Sequence, residues 1–117
     1  MPPVGSALSE VEVTRTEENV KLVREQEQLI AKEVERVKNA GIPAQKVHDR
    51  GGMTVYDRLD YLVDPGTWCP LHTLYNPRDN EEGCTGVVNG IGKISGKWAV
   101  IIGFDNKVMA GAWIAGQ

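Results

Sequence analysis

The side chains able to do chemistry are few: two histidines, two cysteines, some adjacent carboxylates and one glycine-spaced stretch. Cys69 and His72 form a C-x2-H half-site, and Cys84 and His48 complete a four-ligand inventory for zinc. Structural zinc sites present paired ligands at both ends. Here the second pair is far apart in the chain, so no metal is expected. Two cysteines are too few for a disulfide framework and read as reduced thiols. His48, in the polar segment His48-Asp49-Arg50-Gly51-Gly52, reads as a solvated or loop-bracing residue rather than a general base. His72, between Leu71 and Thr73, reads as a hydrogen-bonded structural histidine. A working carboxylate pair needs burial or a partner to separate its two pKa values, and Glu17-Glu18 and Glu81-Glu82 read as solvated faces instead. Gly90-x-Gly92 precedes a strand rather than a helix, which fails the dinucleotide fingerprint, and no P-loop occurs. No side chain stands out as catalytic.

The elements that would position these groups fall into three stretches. Residues 1–42 are a helical lead. Thr14 with Glu17 has capping-box spacing, and Thr16 followed by Glu17 and Glu18 is an alternative start, so a helix is expected from about Thr16. Val20, Val23, Leu29, Ile30, Val34 and Val37 give it one apolar stripe, and Gly41 and Pro43 stop it. Residues 43–82 hold a short helix, Val55 to Val63, capped by Thr54 with Asp57 at the capping-box position. Asp64-Pro65-Gly66-Thr67 reads as a turn. Pro70 limits Thr67 to Tyr75 to an edge strand or ordered loop, and Asn76 to Glu82 reads as a polar loop. Residues 83–117 read as a β-meander of three antiparallel strands: Thr85 to Ile94, Lys97 to Phe104 and Val108 to Ile114, with Ser95-Gly96 as a two-residue hairpin turn.

The expected class is therefore α+β, N-terminal helices plus an antiparallel meander, in a single incomplete domain. It is incomplete because Trp98 to Phe104 is apolar on both faces of a strand and expects covering layers that the chain does not supply. With 41% hydrophobic and 25% charged residues, 117 residues can bury one modest core. The net charge of -3, without a basic cluster, favours neither nucleic acid nor an anionic membrane surface. No apolar run reaches the length of a membrane span and Met1 to Ser9 lacks signal-peptide character, which leaves the cytoplasm as the default compartment.

Two runs then carry a resemblance. Asp57-Arg58-Leu59-Asp60-Tyr61-Leu62-Val63-Asp64-Pro65-Gly66-Thr67-Trp68 resembles the opening motif of biotin-dependent acyl-CoA carboxyltransferases, and Gly86-Val87-Val88-Asn89-Gly90-Ile91-Gly92-Lys93-Ile94-Ser95-Gly96 resembles the strand that follows it there. The runs Trp68 to Pro77 and Asp105 to Trp113 are similar to the branch of that family that decarboxylates glutaconyl-CoA. The resemblance implies a crotonase-like fold of ββα spiral units, of which this chain is the N-terminal part.

It also implies a reaction: the carboxyl group of glutaconyl-CoA passes to biotin on a separate carrier subunit, leaving crotonyl-CoA. A membrane sodium-pump subunit then decarboxylates the carboxybiotin. The implied ligands are biotin and a coenzyme A thioester, with no metal. The implied full-length form is a homo-oligomer, held peripherally to the membrane through its partner subunits. Charge on the thioester or biotin carbonyl oxygen is held in such enzymes by backbone N–H groups of Gly-rich loops, which explains the missing side-chain signature. Those loops lie downstream of the position matching Gln117, so the 117-residue chain alone is expected to be inactive. The resemblance carries over Lys107, Ala110, Gly111 and Ala112 as acyl-CoA-binding positions, because the matching turn lies beside bound CoA. The competing reading is a non-catalytic module in which the Thr16 to Ala40 helix docks on a partner subunit and the sheet is its scaffold.

Overall fold

A computed structural model of the chain describes residues 4–76 and 83–113. Helix α1 spans Glu10–Lys38. It starts well before Thr16 because Ser9 and Glu12 form the capping box: the Glu12 N–H donates to Ser9 Oγ at 3.3 Å and the Ser9 N–H donates to Glu12 Oε2 at 2.7 Å. The Ser9 N–H first, and then the Ser9 hydroxyl, which donates to the same Oε2 at 2.8 Å, hold the Glu12 carboxyl below its ordinary range. Thr14 and Thr16, expected as caps, instead donate their hydroxyls to the Glu10 and Glu12 carbonyls inside the helix. The described residues fall into two compact units, up to Lys32 and from Glu33 onward. In the first, α1 is a rod whose side chains are all exposed.

The second unit contains α2 (Ala44–Asp49), which the sequence reading missed, and α3 (Val55–Leu62). The expected capping box of α3 is present, with Thr54 Oγ1 accepting from the Asp57 N–H at 3.2 Å and Asp57 Oδ2 accepting from the Thr54 N–H at 2.7 Å. Three antiparallel strands follow in the order β1 (Cys69–Leu71), β2 (Val87–Ile94) and β3 (Lys97–Phe104). Register places Ile91 opposite both Cys69 and Val100, and Asn89 opposite both Leu71 and Ile102.

The third strand is not the expected one. Residues 108–113 contain a 3₁₀ turn at Met109–Gly111, and left-handed backbone at Met109, Ala110 and Gly111 cannot continue a strand. Ile114 lies outside the described residues, as does most of the expected polar loop, residues 77–82. The sheet takes its third strand from Cys69–Leu71, an edge position that tolerates Pro70.

The two sheet faces differ. One is covered by α3. Gly103 permits this approach, because a Cβ there would sit 2.6 Å from Val55 Cγ2. Val55, Leu59 and Thr54 are buried beneath. The other face presents Trp98, Val100 and Ile102, exposed by 64%, 73% and 63%. Lys93, opposite Trp98 on β2, lays its ammonium over that ring at 5.0 Å. The hairpin turn is left-handed at Ser95 and Gly96 and is clamped by Asp64, whose carboxylate accepts both N–H groups at 3.1 and 2.7 Å. Thr67 ties the same Pro-Gly turn to β2, its Oγ1 accepting the Lys93 N–H at 3.0 Å.

Candidate functional site

The turn from Asp105 to Ala112 is built from its buried side outward. The Asp105 N–H donates to Gly86 O at 2.8 Å, which fixes where the turn leaves β3. Its Oδ1 accepts the Lys107 N–H at 3.0 Å and its carbonyl accepts the Val108 N–H at 3.0 Å, so this aspartate closes its own loop, a common use of the side chain. Asp105, Lys107 and Val108 are 2%, 5% and 2% exposed.

A buried ammonium needs partners, and Lys107 has three. Its Nζ lies 3.6 Å from Asp105 Oδ2, donates a hydrogen bond to the Lys38 carbonyl, and stands 5.5 Å from the Tyr56 ring centroid. Lys38 is the last residue of α1, so the ammonium satisfies one of the orphan carbonyls and sits at the negative end of the helix dipole. Gly41 completes the joint: left-handed backbone there lets the chain turn against Lys107, whose carbonyl accepts the Ile42 N–H at 3.0 Å. A Cβ on Gly41 would collide with that same carbonyl. Burial, then the Asp105 carboxylate, push the Tyr56 hydroxyl up to about 12. Asn106 donates from Nδ2 to Met53 O at 3.0 Å, while its Oδ1 is buried with no hydrogen-bond partner among the described residues.

The outward side is backbone. Met109, Ala110 and Gly111 have φ of 48°, 55° and 76° in succession, closed by Gly111 N–H to Val108 O at 2.9 Å and Ala112 N–H to Met109 O at 3.1 Å. Two consecutive non-glycine residues in this region carry strain, of the kind that concentrates at ligand-contacting loops. Met109, Ala110 and Ala112 are exposed. Trp113, 76% exposed, packs its ring 5.3 Å from that of Phe104.

The four residues carried over from the sequence thus share one turn but serve two sides of it. Ala110 and Ala112 face outward, Gly111 is half-buried, and the Lys107 ammonium points inward to the end of α1. Sequence reasoning missed the Asp105–Lys107 pair and Tyr56; the Asp-x-Lys spacing that closes the loop was the available signal.

The other polar candidates lie elsewhere. His48, on α2, places Nε2 2.7 Å from Asp57 Oδ2. That hydrogen bond, together with those from Thr54, holds the Asp57 carboxyl down to about 2, so the histidine braces the cap of α3. Cys84 is buried beside Val37 and Val108, whereas Cys69 is exposed on β1 and His72 lies just past it in left-handed backbone. Among the described residues no group of three or more His, Cys, Asp or Glu could hold a metal ion. No described helix is long and apolar enough to cross a membrane. A cavity of about 330 Å³ opens between α3, the end of α1 and the β1 edge, lined chiefly by Val34, Leu59, Trp68, Pro70 and Val88 with Tyr56 at its side.

The described residues thus form an α+β unit, a small helix-capped antiparallel sheet with a locked, strained turn. The carboxyl transferase domain matches residues 46–117, and the chain belongs to that family. Over all 117 residues it is 41% identical to the glutaconyl-CoA decarboxylase subunit alpha of Acidaminococcus fermentans, of which it spans 19%. Over 72 residues it is 29% identical to the propionyl-CoA carboxylase carboxyltransferase subunit of Haloferax mediterranei, of which it spans 14%. Among solved structures, transcarboxylase 12S, described as a hexamer assembly with substrate binding to a multienzyme core, matches with a TM-score of 0.65 at 24% identity, covering 73% of this chain and 18% of that one. A single-chain, multi-domain long-chain acyl-CoA carboxylase matches with a TM-score of 0.54 at 24% identity, covering 60% and 9%. The chain therefore spans about a fifth or less of the proteins it resembles.

Proposed function

We propose that this chain forms the N-terminal part of a crotonase-like carboxyltransferase subunit that passes the carboxyl group of glutaconyl-CoA to biotin on a carrier subunit. Breaking the carbon–carboxyl bond leaves its electron pair delocalised onto the thioester oxygen. Biotin on its carrier would supply the ureido nitrogen that accepts the carboxyl group and the proton that the substrate carbon takes up to give crotonyl-CoA. The 117 residues supply binding rather than chemistry in this reading: residues 110–112 lie along the CoA thioester, with Lys107 holding the turn from beneath. The partners are the biotin carrier and a membrane subunit that decarboxylates carboxybiotin with sodium export, and residues 1–117 form a single domain completed by further ββα units. The observation that carries the reading is the run of left-handed residues at Met109, Ala110 and Gly111, an outward-facing strained backbone on a rigid buried base. The 41% identity to the glutaconyl-CoA decarboxylase subunit supports this substrate over propionyl-CoA.

The test is a chimera in which this chain replaces the matching segment of the Acidaminococcus subunit. The expected result is conversion of glutaconyl-CoA to crotonyl-CoA with biotin as acceptor. A folded chimera that carboxylates propionyl-CoA with carboxybiotin and ignores glutaconyl-CoA would overturn the substrate assignment, and a folded chimera inert to both would overturn the reading.

A further inference from the structure

Three consecutive residues tie the strained turn to three parts of the second unit, and one of them leaves a polar atom without a partner. Asp105 holds the turn to Gly86, just before β2, and Lys107 holds it to the end of α1. Asn106, between them, reaches the loop before α3: its Nδ2 donates to Met53 O at 3.0 Å. Asp105 and Lys107 face each other as an ion pair, whereas Asn106 Oδ1 is buried with no hydrogen-bond partner among the described residues. One neutral hydrogen bond contributes no more than an unsatisfied buried oxygen costs, so stability alone does not account for an amide at this position.

We infer that Asn106 is a positioning residue for the acyl-CoA thioester, setting where the backbone of residues 110–112 stands against it; this rests on the reading of that turn as part of the substrate site. The far anchor is rigid. Met53 precedes Thr54, whose N–H and hydroxyl are both engaged with Asp57 in the cap of α3, and His48 braces the same Asp57 Oδ2 from α2. The near end is the floor of the strained run: a Cβ on Gly111 would lie 3.7 Å from Asn106 Cα and 3.9 Å from its nitrogen. Behind Gly111, therefore, stands a residue whose side chain is pinned to the α3 cap. Left-handed backbone at Met109 and Ala110 persists only where its surroundings over-determine it, and Asn106 supplies a third fixed point beside Gly86 and Lys38. With its oxygen buried, Asn106 does not touch substrate; it acts through Gly111.

Steady-state kinetics of the Acidaminococcus chimera carrying Asn106→Leu test this, beside Gly111→Val and with circular dichroism to measure the folded fraction. Leucine keeps the branched shape of the side chain but cannot donate to Met53 O. KM for glutaconyl-CoA should rise about threefold or more, with kcat per folded enzyme changed by less than about twofold. Asn106→Ala removes the same donor and lets water reach the Met53 carbonyl, so it decides the matter if Asn106→Leu does not fold, and its KM should rise likewise. An amide with a merely structural role would lower the folded fraction and leave both constants of the folded enzyme alone. That result, or a fall in kcat at unchanged KM, would overturn the inference. If Gly111→Val raises KM while the folded Asn106 variants do not, the inference falls and the substrate turn stands. If Gly111→Val also leaves KM alone, the reading of the turn falls and takes the inference with it.

Discussion

Replacing Lys107 with methionine removes the cation that joins the turn to the end of α1 while keeping most of the side chain's volume. The Nζ-to-Oδ2 separation is 3.6 Å and both side chains are under 5% exposed, so screening by water is slight. At an effective dielectric constant of about 20, Coulomb's law gives about 4.6 kcal/mol for unit charges at the cited 3.6 Å. Desolvation of the two ions offsets much of that gain in the native pair. In the variant, however, the Asp105 carboxylate stays buried with no cation, and the Lys38 carbonyl loses its donor. Breaking one side of a buried pair costs about 3–5 kcal/mol, against a total stability of about 5–15 kcal/mol for a domain. Urea unfolding followed by circular dichroism should therefore show Lys107→Met losing a large part of the stability. The double change Asp105→Asn with Lys107→Met should recover part of that loss, since it removes the stranded charge. A loss below about 1 kcal/mol for Lys107→Met, where a buried pair should lose several times more, would refute the account of this joint.

Gly103→Ala should destabilise by about 1–3 kcal/mol, measured by the same unfolding, because its Cβ would press on the buried, β-branched Val55. The pH dependence has two limbs. Tyr56 has a folded pKa raised from 10.0 to about 12, so the unfolded chain ionises first and stability should fall between those values; Tyr56→Phe should flatten that limb. Asp57 has its pKa lowered from 3.8 to about 2, so its contribution is present above 3.8 and lost as pH falls through that window, and His48→Ala should shift the acid unfolding midpoint upward. The row Trp98, Val100 and Ile102 should make the chain bind a hydrophobic dye, and Val100→Lys should reduce that fluorescence; an unchanged signal would place the dye elsewhere.

Local chemistry made much of the second unit legible. The Thr54–Asp57 capping box, the Pro65-Gly66 turn and the Ser95-Gly96 hairpin are each decided by two or three neighbouring residues, and each formed where the sequence placed it. The start of α1 was misplaced because two capping boxes compete: Ser9–Glu12 lies upstream and leaves Thr14 free to bond back within the helix. The error over residues 108–113 has another origin. An apolar run containing one glycine fits a strand by pattern, but Asp105 closes the loop and Lys107 is drawn inward to the α1 carbonyl. That contact spans 69 positions and no local pattern encodes it. For the same reason the inward role of Lys107 was not legible in the sequence. Helix α2 escaped notice because six residues following Pro43 carry no capping side chain.

The most direct test of the central claim is steady-state kinetics of Gly111→Val in the Acidaminococcus chimera, beside Gly103→Ala as a remote packing control. A Cβ at Gly111 would find only ordinary contacts, at 3.7 Å from Asn106 Cα and Phe104 Cβ, so the fold has room for it. The substitution acts on the left-handed backbone, φ 76°, and on whatever lies against its outward side. If residues 110–112 line the acyl-CoA thioester, KM for glutaconyl-CoA should rise severalfold with kcat much less affected, while Gly103→Ala leaves KM alone. Unchanged kinetics in a folded Gly111→Val chimera would remove this turn from the substrate site and leave it a structural bend.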